Sequence, residues 1–301
     1  MSFGRITPLM TTNQILGELN QSQNALATTE EQLSTGKTIN QPSDNPYGAA
    51  LVVQLNGQLS QLGDYNNNIV DGQAWAQTGT TALGSIESDV QRAQELVTQA
   101  GNGTLSQSQQ ADIGAEIGQL ISSIKASANT QYNGQYVFSG TAGSTPPYDP
   151  TTGAYAGSGA VTRQIGPAST ATVSVDISQA LGATVSTGTG LLPTLTNIYN
   201  QLTSGSGTAA LNSSDLTDLQ NGLDSLNTLQ TRLGASTDQM GMAATTLSDM
   251  QTSLTSELGN TQDANMATTM TTYSNEQAAF TAALKAGASI VQTSLMSFLT
   301  G

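Results

Sequence analysis

The chain contains no cysteine and no histidine. Thiolate and imidazole metal sites, disulfides, cysteine nucleophiles and histidine general bases are therefore outside its chemistry. Basic residues are scarce: seven against 21 acidic ones, for a net charge of −14. Arg5, Lys37, Arg92, Lys125, Arg163, Arg232 and Lys285 stand singly along the sequence. No basic stripe exists to follow a phosphate backbone or an anionic headgroup layer, so nucleic acid and membrane are poor partners. No apolar run reaches the length of a membrane-spanning helix, and the segment from Met1 to Pro8 lacks a signal-peptide core. The expectation is a protein that is cytoplasmic or exported without a cleaved signal peptide.

Charge of either sign is short too. Charged residues make up 9% of the chain, against about 25% in an ordinary globular domain. Ser, Thr, Gln, Asn and Gly take their place. Such a surface is solvated without strong self-repulsion and suits side-by-side packing with copies or relatives. Hydrophobic residues at 37% still allow a sizeable core in 301 residues.

What the chain does have is heptad spacing. Leu55, Leu62, Ile69, Ala76, Leu83, Val90 and Val97 fall at every seventh position. At this apolar content, seven such hits in one frame arise by chance about once in a thousand frames. A second run is Leu219, Leu226, Leu233, Met240, Leu247 and Leu254, and a short one is Leu19, Leu26 and Leu33. Near the C-terminus, Met266, Met270, Tyr273, Gln277, Phe280, Leu284, Gly287 and Val291 alternate steps of four and three, the seam of a coiled coil with polar interruptions. The central seams are rich in large apolar residues. The end seams carry polar positions such as Gln23, Glu30 and Ser294, and they lack a complete partner face within one chain.

Boundaries follow from local chemistry. Gly36 is placed to end the first helix at the C′ position. Ser43, Asp44 or Asn45 caps the next, with Pro46 in its first turn. Leu105 and Ser106 open a helix with Ile113, Ile117, Leu120, Ile121 and Ile124 on one face, ending near Asn133-Gly134. Gly57, Gly63, Gly72, Gly79 and Gly84 interrupt the long helix, through loose composition or close helix–helix approach. Residues 139–190 turn rich in Ser, Thr, Gly and Pro, and Thr172 to Ile177 alternate as a strand does. Helical pattern resumes at Leu191, Leu195, Ile198 and Leu202. The expected architecture is mainly α: a long-helix coiled-coil bundle formed by the N- and C-terminal segments, with a small inserted β-rich domain. The divisions expected are 1–140 and 191–301 as the two halves of the helical core and 141–190 as an inserted β-rich outer domain, one that a short linker should be able to replace.

Candidate chemistry is thin. Gly36-Lys37-Thr38 resembles the tail of a phosphate loop, but Glu31 stands where its first glycine belongs and a helix precedes it. Glu30, Glu31, Asp44, Asp215 and Asp218 show no spacing that links two of them in a pocket. Asn102-Gly103-Thr104 and Asn212-Ser213-Ser214 match the glycosylation pattern, as a Ser/Thr-rich chain does by chance. Tyr132, Tyr136, Tyr148 and Tyr155 gather at the domain boundary as a ligand platform or, more commonly, as packing anchors. No catalytic, metal or cofactor site is expected.

The stretch Leu33 to Ala50, centred on Pro42-Ser43-Asp44-Asn45-Pro46, resembles the N-terminal signature of the flagellin superfamily, in the form of its hook-associated protein 3 branch. Gln91 to Leu96 with Ala100 to Thr104, Asn129 to Gly140, and Ala282 to Leu299 are similar to further shared blocks. The similarity covers about residues 1–140 and 190–301. It implies a structural subunit of the bacterial flagellum at the hook–filament junction, or alternatively a filament-forming flagellin. It implies export by the flagellar type III apparatus with a cytoplasmic chaperone. The partners it implies are copies of the chain in a helical ring, hook-associated protein 1 and flagellin. Leu295 and Phe298 join the C-terminal seam on this basis. Arg92, Leu96 and Glu116 occupy positions similar to those by which flagellin monomers engage an innate immune receptor. A coiled-coil adhesin or binding module is the remaining alternative; it would need an export signal.

Overall fold

A computed structural model describes residues 8–101, 105–149, 153–204 and 213–299. The described chain is mainly α with a small β part. Its helices are α1 (Pro8–Thr35), α2 (Pro46–Ala100), α3 (Gln107–Ala128), α4 (Ser178–Leu181), α5 (Leu191–Thr203), α6 (Ser213–Gln262) and α7 (Met266–Leu299). Two hairpins, β1 (Gln131–Tyr132) with β2 (Gln135–Tyr136) and β3 (Thr162–Gly166) with β4 (Ser169–Thr172), are its strands. Two compact units result. One takes the described residues of Met1–Ser60 and Gln251–Gly301, the other those of Gln61–Met250. The divisions fall inside α2 and α6.

In the first unit α1 lies antiparallel to α7. Thr29 Oγ1 donates to Glu276 Oε2 at 2.6 Å, and a Cβ added at Gly287 would sit 3.2 Å from Ile15 Cγ2. Gly36, at φ +70°, ends α1 as its C′ residue, and its N–H reaches Gln32 O. The chain then crosses beside the α6–α7 break. Thr38 N donates to Gln262 O and Ala264 N to Gly36 O, so both interruptions satisfy each other's backbone. Asp44 Oδ2 accepts the N–H groups of Asn40 and Gln41. Asn45 Oδ1 accepts from Gly48 N at 3.0 Å and caps α2.

In the second unit the heptads of α2 and α6 meet. Leu62, Ile69, Ala76, Leu83, Val90 and Val97 are buried, as are Leu219, Leu226, Leu233, Met240 and Leu247. Each fully buried aliphatic side chain contributes about 1.5–3 kcal/mol, which offsets the weak propensity of the helix glycines. Two of those glycines are explained by packing. A Cβ at Gly72 would lie 2.7 Å from Met240 Sδ, and one at Gly79 would lie 3.2 Å from Leu233 Cδ1. Seven residues forward on α2 matches seven back on α6, the register of an antiparallel pair. Gly57, Gly63 and Gly84 have nothing within 4 Å, and nothing in the packing explains them.

α3 opens on a capping box. Ser106 Oγ accepts from Gln109 N and Ser106 N donates to Gln109 Oε1. Ile113, Ile117 and Ile124 are buried, whereas Leu120 and Ile121 are half-buried. The helix ends at Ala128, earlier than the Asn133-Gly134 boundary expected. That dipeptide is instead the two-residue turn of the β1–β2 hairpin, with φ of 49° and 76°, the type I′ geometry that Asn-Gly favours.

The segment from 141 to 190 has little strand. The strand expected over Thr172 to Ile177 stops at Thr172, because that residue pairs with Thr162, the first residue of β3. Beyond it Val173 N reaches Val161 O and Ser174 Oγ accepts from Val161 N, but no further strand among the described residues pairs there. The segment nevertheless carries a set of packed side chains. Tyr148, Ile165, Ala171, Val173, Ile177, Ala180 and Leu181 are all buried, and Val173 packs at Gly72 of α2.

Two glycine substitutions test this packing in opposite directions. A Cβ at Gly222 of α6 would overlap the buried Leu191 side chain, so Gly222→Ala should destabilise by about 1–3 kcal/mol. Gly84→Ala meets nothing and should stabilise by about 0.5–1 kcal/mol. Urea unfolding followed by circular dichroism reads both. Separately, deleting residues 141–190 removes the cover of the side chains and backbone they pack against, Gly72, Asn129 and Phe138 among them, and should lower the unfolding midpoint or abolish folding; an unchanged midpoint would show the segment to be dispensable to the helices.

Candidate functional site

The seam residues singled out in the sequence divide by burial. Leu55 and the α2 and α6 positions just described are core, and Leu254 is half-buried. Leu19, Leu26, Leu33 and Phe280 are only half-buried, and Leu284 is 48% exposed. Val291, Leu295 and Phe298 fall outside the residues whose side chains are described. On α7 the expected seam splits into two stripes. Tyr273, Phe280 and Gly287 are half-buried to buried, on the side where Gly287 meets Ile15. Met270, Gln277 and Leu284, also at seven-residue steps, are exposed. With Met10 and Leu16 of α1 exposed as well, the first unit leaves apolar helix surface in water that a second layer of helices could cover.

The second unit pins its hairpins to helices by polar clasps. Arg163 of β3 pairs with Asp71 of α2 at 2.8 Å, and its guanidinium carbon lies 5.8 Å from the Trp75 ring centre. Tyr132 of β1 meets the other edge of that assembly, 6.0 Å from Trp75 in a T-shaped contact. Asn68 Nδ2 donates to Gln164 O, and Ser236 Oγ to Thr172 O. The Trp75 ring is buried with its Nε1 lacking a partner, a cost the ring's packing must offset.

Three of the tyrosines act as anchors. Tyr132 packs as above; Tyr148 Oη donates to Gly182 O and Tyr155 Oη to Phe138 O. The rings of Tyr148 and Tyr155 lie 5.4 Å apart. Asn129, just past α3, clamps Tyr148 by exchanging two hydrogen bonds with its backbone. Burial pushes both hydroxyls well above the ordinary tyrosine range, and Asp176 adds to this at Tyr155.

Arg92, Leu96 and Glu116 have different surroundings. Arg92 joins Glu116 of α3 at 2.9 Å and Glu95 at 3.0 Å, bracing α3 against α2. Leu96 is 2% exposed and packs inward, away from any outside contact. Sequence spacing did not reveal that the arginine and glutamate pair with each other.

Among the described residues no three His, Cys, Asp or Glu side chains gather to hold a metal ion. No described helix is long and apolar enough to cross a membrane. At Gly36-Lys37-Thr38 the backbone N–H groups already donate to Gln32 O, Thr35 Oγ1 and Gln262 O, so none is left to cradle a phosphate. Of the candidate carboxylates, Asp44 is spent on backbone N–H groups and Glu30 and Glu31 are exposed. Asn102-Gly103-Thr104 and Asn212 lie outside the described residues.

Comparison with known proteins gives this arrangement relatives. Residues 6–143 match the family of the bacterial flagellin N-terminal helical region. Flagellin of Salmonella muenchen is 41% identical over 117 residues, covering 38% of this chain and 23% of that one. Flagellar hook-associated protein 3 of Salmonella typhimurium is 32% identical over 168 residues, covering 55% and 53%. The chain thus spans about a quarter of the length of the flagellins it matches and about half of that hook-associated protein. Among solved structures, a putative flagellar hook-associated protein from Vibrio parahaemolyticus superposes with TM-score 0.66 at 18% identity, over 73% of this chain and 100% of that one. Bacillus cereus FlgL superposes with TM-score 0.58 at 22% identity, over 68% and 99%. The resemblance read from Leu33–Ala50, Gln91–Thr104 and Asn129–Gly140 lies within the matched residues 6–143 and is borne out: the chain is similar to flagellins and to hook-associated protein 3.

The buried tyrosines predict a pH dependence. Their folded pKa values are raised, so their contribution is fully present below the unfolded value of about 10 and is lost as pH rises beyond it. Stability measured by urea unfolding should fall above about pH 10. Tyr148→Phe should flatten that fall and cost about 1–2 kcal/mol near neutrality through the lost bond to Gly182. An unaltered alkaline slope in the variant would mean that the Tyr148 hydroxyl ionises freely in the native state.

Proposed function

We propose, from a flagellin-type N-terminal helical region carried on a fold shared with flagellar hook-associated proteins, that this chain is a structural subunit of the bacterial flagellum at the hook–filament junction. The observation that carries the reading is the match to hook-associated protein 3, which extends over 168 residues where the match to flagellin extends over 117. The role is mechanical and the chain is not an enzyme. The helix surface left open on α1 and α7 fits it. Subunits stacked by a heterologous, non-closing contact form a helical assembly, and each copy would cover the half-exposed Leu19, Leu26, Leu33, Phe280 and Leu284 of its neighbour. Val291, Leu295 and Phe298 extend the same seam in sequence. On this reading the neighbours are hook-associated protein 1 on one side and flagellin on the other. The subunit reaches that extracellular position through the flagellar export apparatus with a cytoplasmic chaperone.

The higher identity to flagellin over its matched 117 residues keeps a filament subunit as the second reading. Location and number separate the two. Labelled antibody on isolated flagella should mark a short zone at the hook end for a junction protein and the whole shaft for a filament protein. Cells lacking the gene should build hooks without attached filaments and shed flagellin into the medium. Normal filaments in that strain would eliminate the junction role.

A further inference from the structure

With no cysteine in the chain and Trp75 only 2% exposed, the thioethers are the groups an oxidant reaches most readily. Their environments differ sharply. Met240 is fully buried against Gly72. Met266 and Met270 are 49% and 61% exposed, one turn apart on the same side of α7. Met10, Met242 and Met250 are also exposed, but none has a second exposed methionine within a turn, Met240 beside Met242 being buried. Met270 also heads the uncovered stripe that continues through Gln277 to Leu284.

We infer that Met266 and Met270 form an oxidation site through which peroxide-class oxidants weaken the packing of α7 against further helices; this consequence rests on the assembly reading above. The chemistry is a two-electron oxygen transfer. The thioether sulfur attacks one peroxide oxygen, the O–O bond breaks, sulfur keeps that oxygen as the sulfoxide, and the other oxygen takes up the proton and leaves as water, or as an alcohol when the oxidant is an organic hydroperoxide. A methionine sulfoxide reductase reverses it, its two thiols supplying the electrons and becoming a disulfide as the oxygen departs as water. The product replaces a flexible apolar side chain by a polar one. A sulfoxide on that stripe must be stripped of water whenever another helix packs there, and a buried polar group without a partner opposes packing.

The test is peptide mass mapping of the full chain during treatment with hydrogen peroxide, with self-association followed by light scattering on the same samples. Sulfoxide should form at Met266 and Met270 within about threefold of the rate of free methionine, and at Met240 about tenfold more slowly or less. Treated protein should associate about tenfold less well than untreated protein. A Met266→Leu, Met270→Leu double variant should keep its association after the same treatment, and reductase should restore the wild type. Equal rates at Met240 and Met270, or oxidised wild type that associates normally, would overturn the inference. Untreated protein that never associates would count against the assembly reading alone, and the peptide map would still decide the site.

Discussion

Burial of an apolar seam between a helix from the early part of the chain and one from its late part is the contact on which each unit depends. In the second unit α2 and α6 meet at seven-residue intervals, with Gly72 under Met240 and Gly79 under Leu233. Glycine at these points admits a large side chain from the facing helix into space its own Cβ would occupy. The propensity lost there, about 1 kcal/mol per glycine relative to alanine, is small beside the burial of Met240 and Leu233. In the first unit the corresponding pair, α1 and α7, buries less. Its seam positions are half-covered, and the contact is supplemented by the Thr29–Glu276 bond and by reciprocal backbone bonds at the corner.

Among the described residues, the Arg92–Glu116 and Arg163–Asp71 ion pairs each join separate elements. Arg92 ties α3 to α2 through Glu116, and Arg163 ties β3 to α2 through Asp71. Exposed pairs such as the first contribute little stability, about 0–1 kcal/mol. Their value in so lightly charged a chain is geometric: they set the azimuth of elements that short hairpins and caps alone leave free to rotate. The Asp71 pair is the more sheltered of the two, with Trp75 beneath its guanidinium.

The long helices were legible because a seven-residue period has few other physical explanations. Helix boundaries at Gly36, Asn45 and Ser106 were legible because each uses a residue type with one favoured backbone role. Asn133-Gly134 was ambiguous for the same reason inverted: the dipeptide serves helix ends and hairpin turns alike, and the paired strands, two residues each, are too short to show a period. The segment 141–190 was legible as a break in the long-helix pattern, but the short α4 within it and its burial were not, since Tyr148, Val173 and Leu181 are separated by turns that break any repeat. Nor could spacing tell the two stripes of α7 apart. A coiled-coil frame marks both as seam, and only the number of partner helices decides which stripe is covered.

The Thr29–Glu276 bond joins residues 247 apart in sequence, and this separation bears on when the protein can fold. A ribosome emits α1 long before α7 exists, so for most of synthesis the first helix has no native partner. The closure entropy of so long a loop grows only slowly with length, yet the encounter must await nearly the whole chain. Contacts so remote in sequence place the first unit among slow folders. A nascent chain of this design therefore carries α1 without the α7 face it packs against until synthesis is nearly complete, and its half-covered leucines stay open to other contacts for that interval.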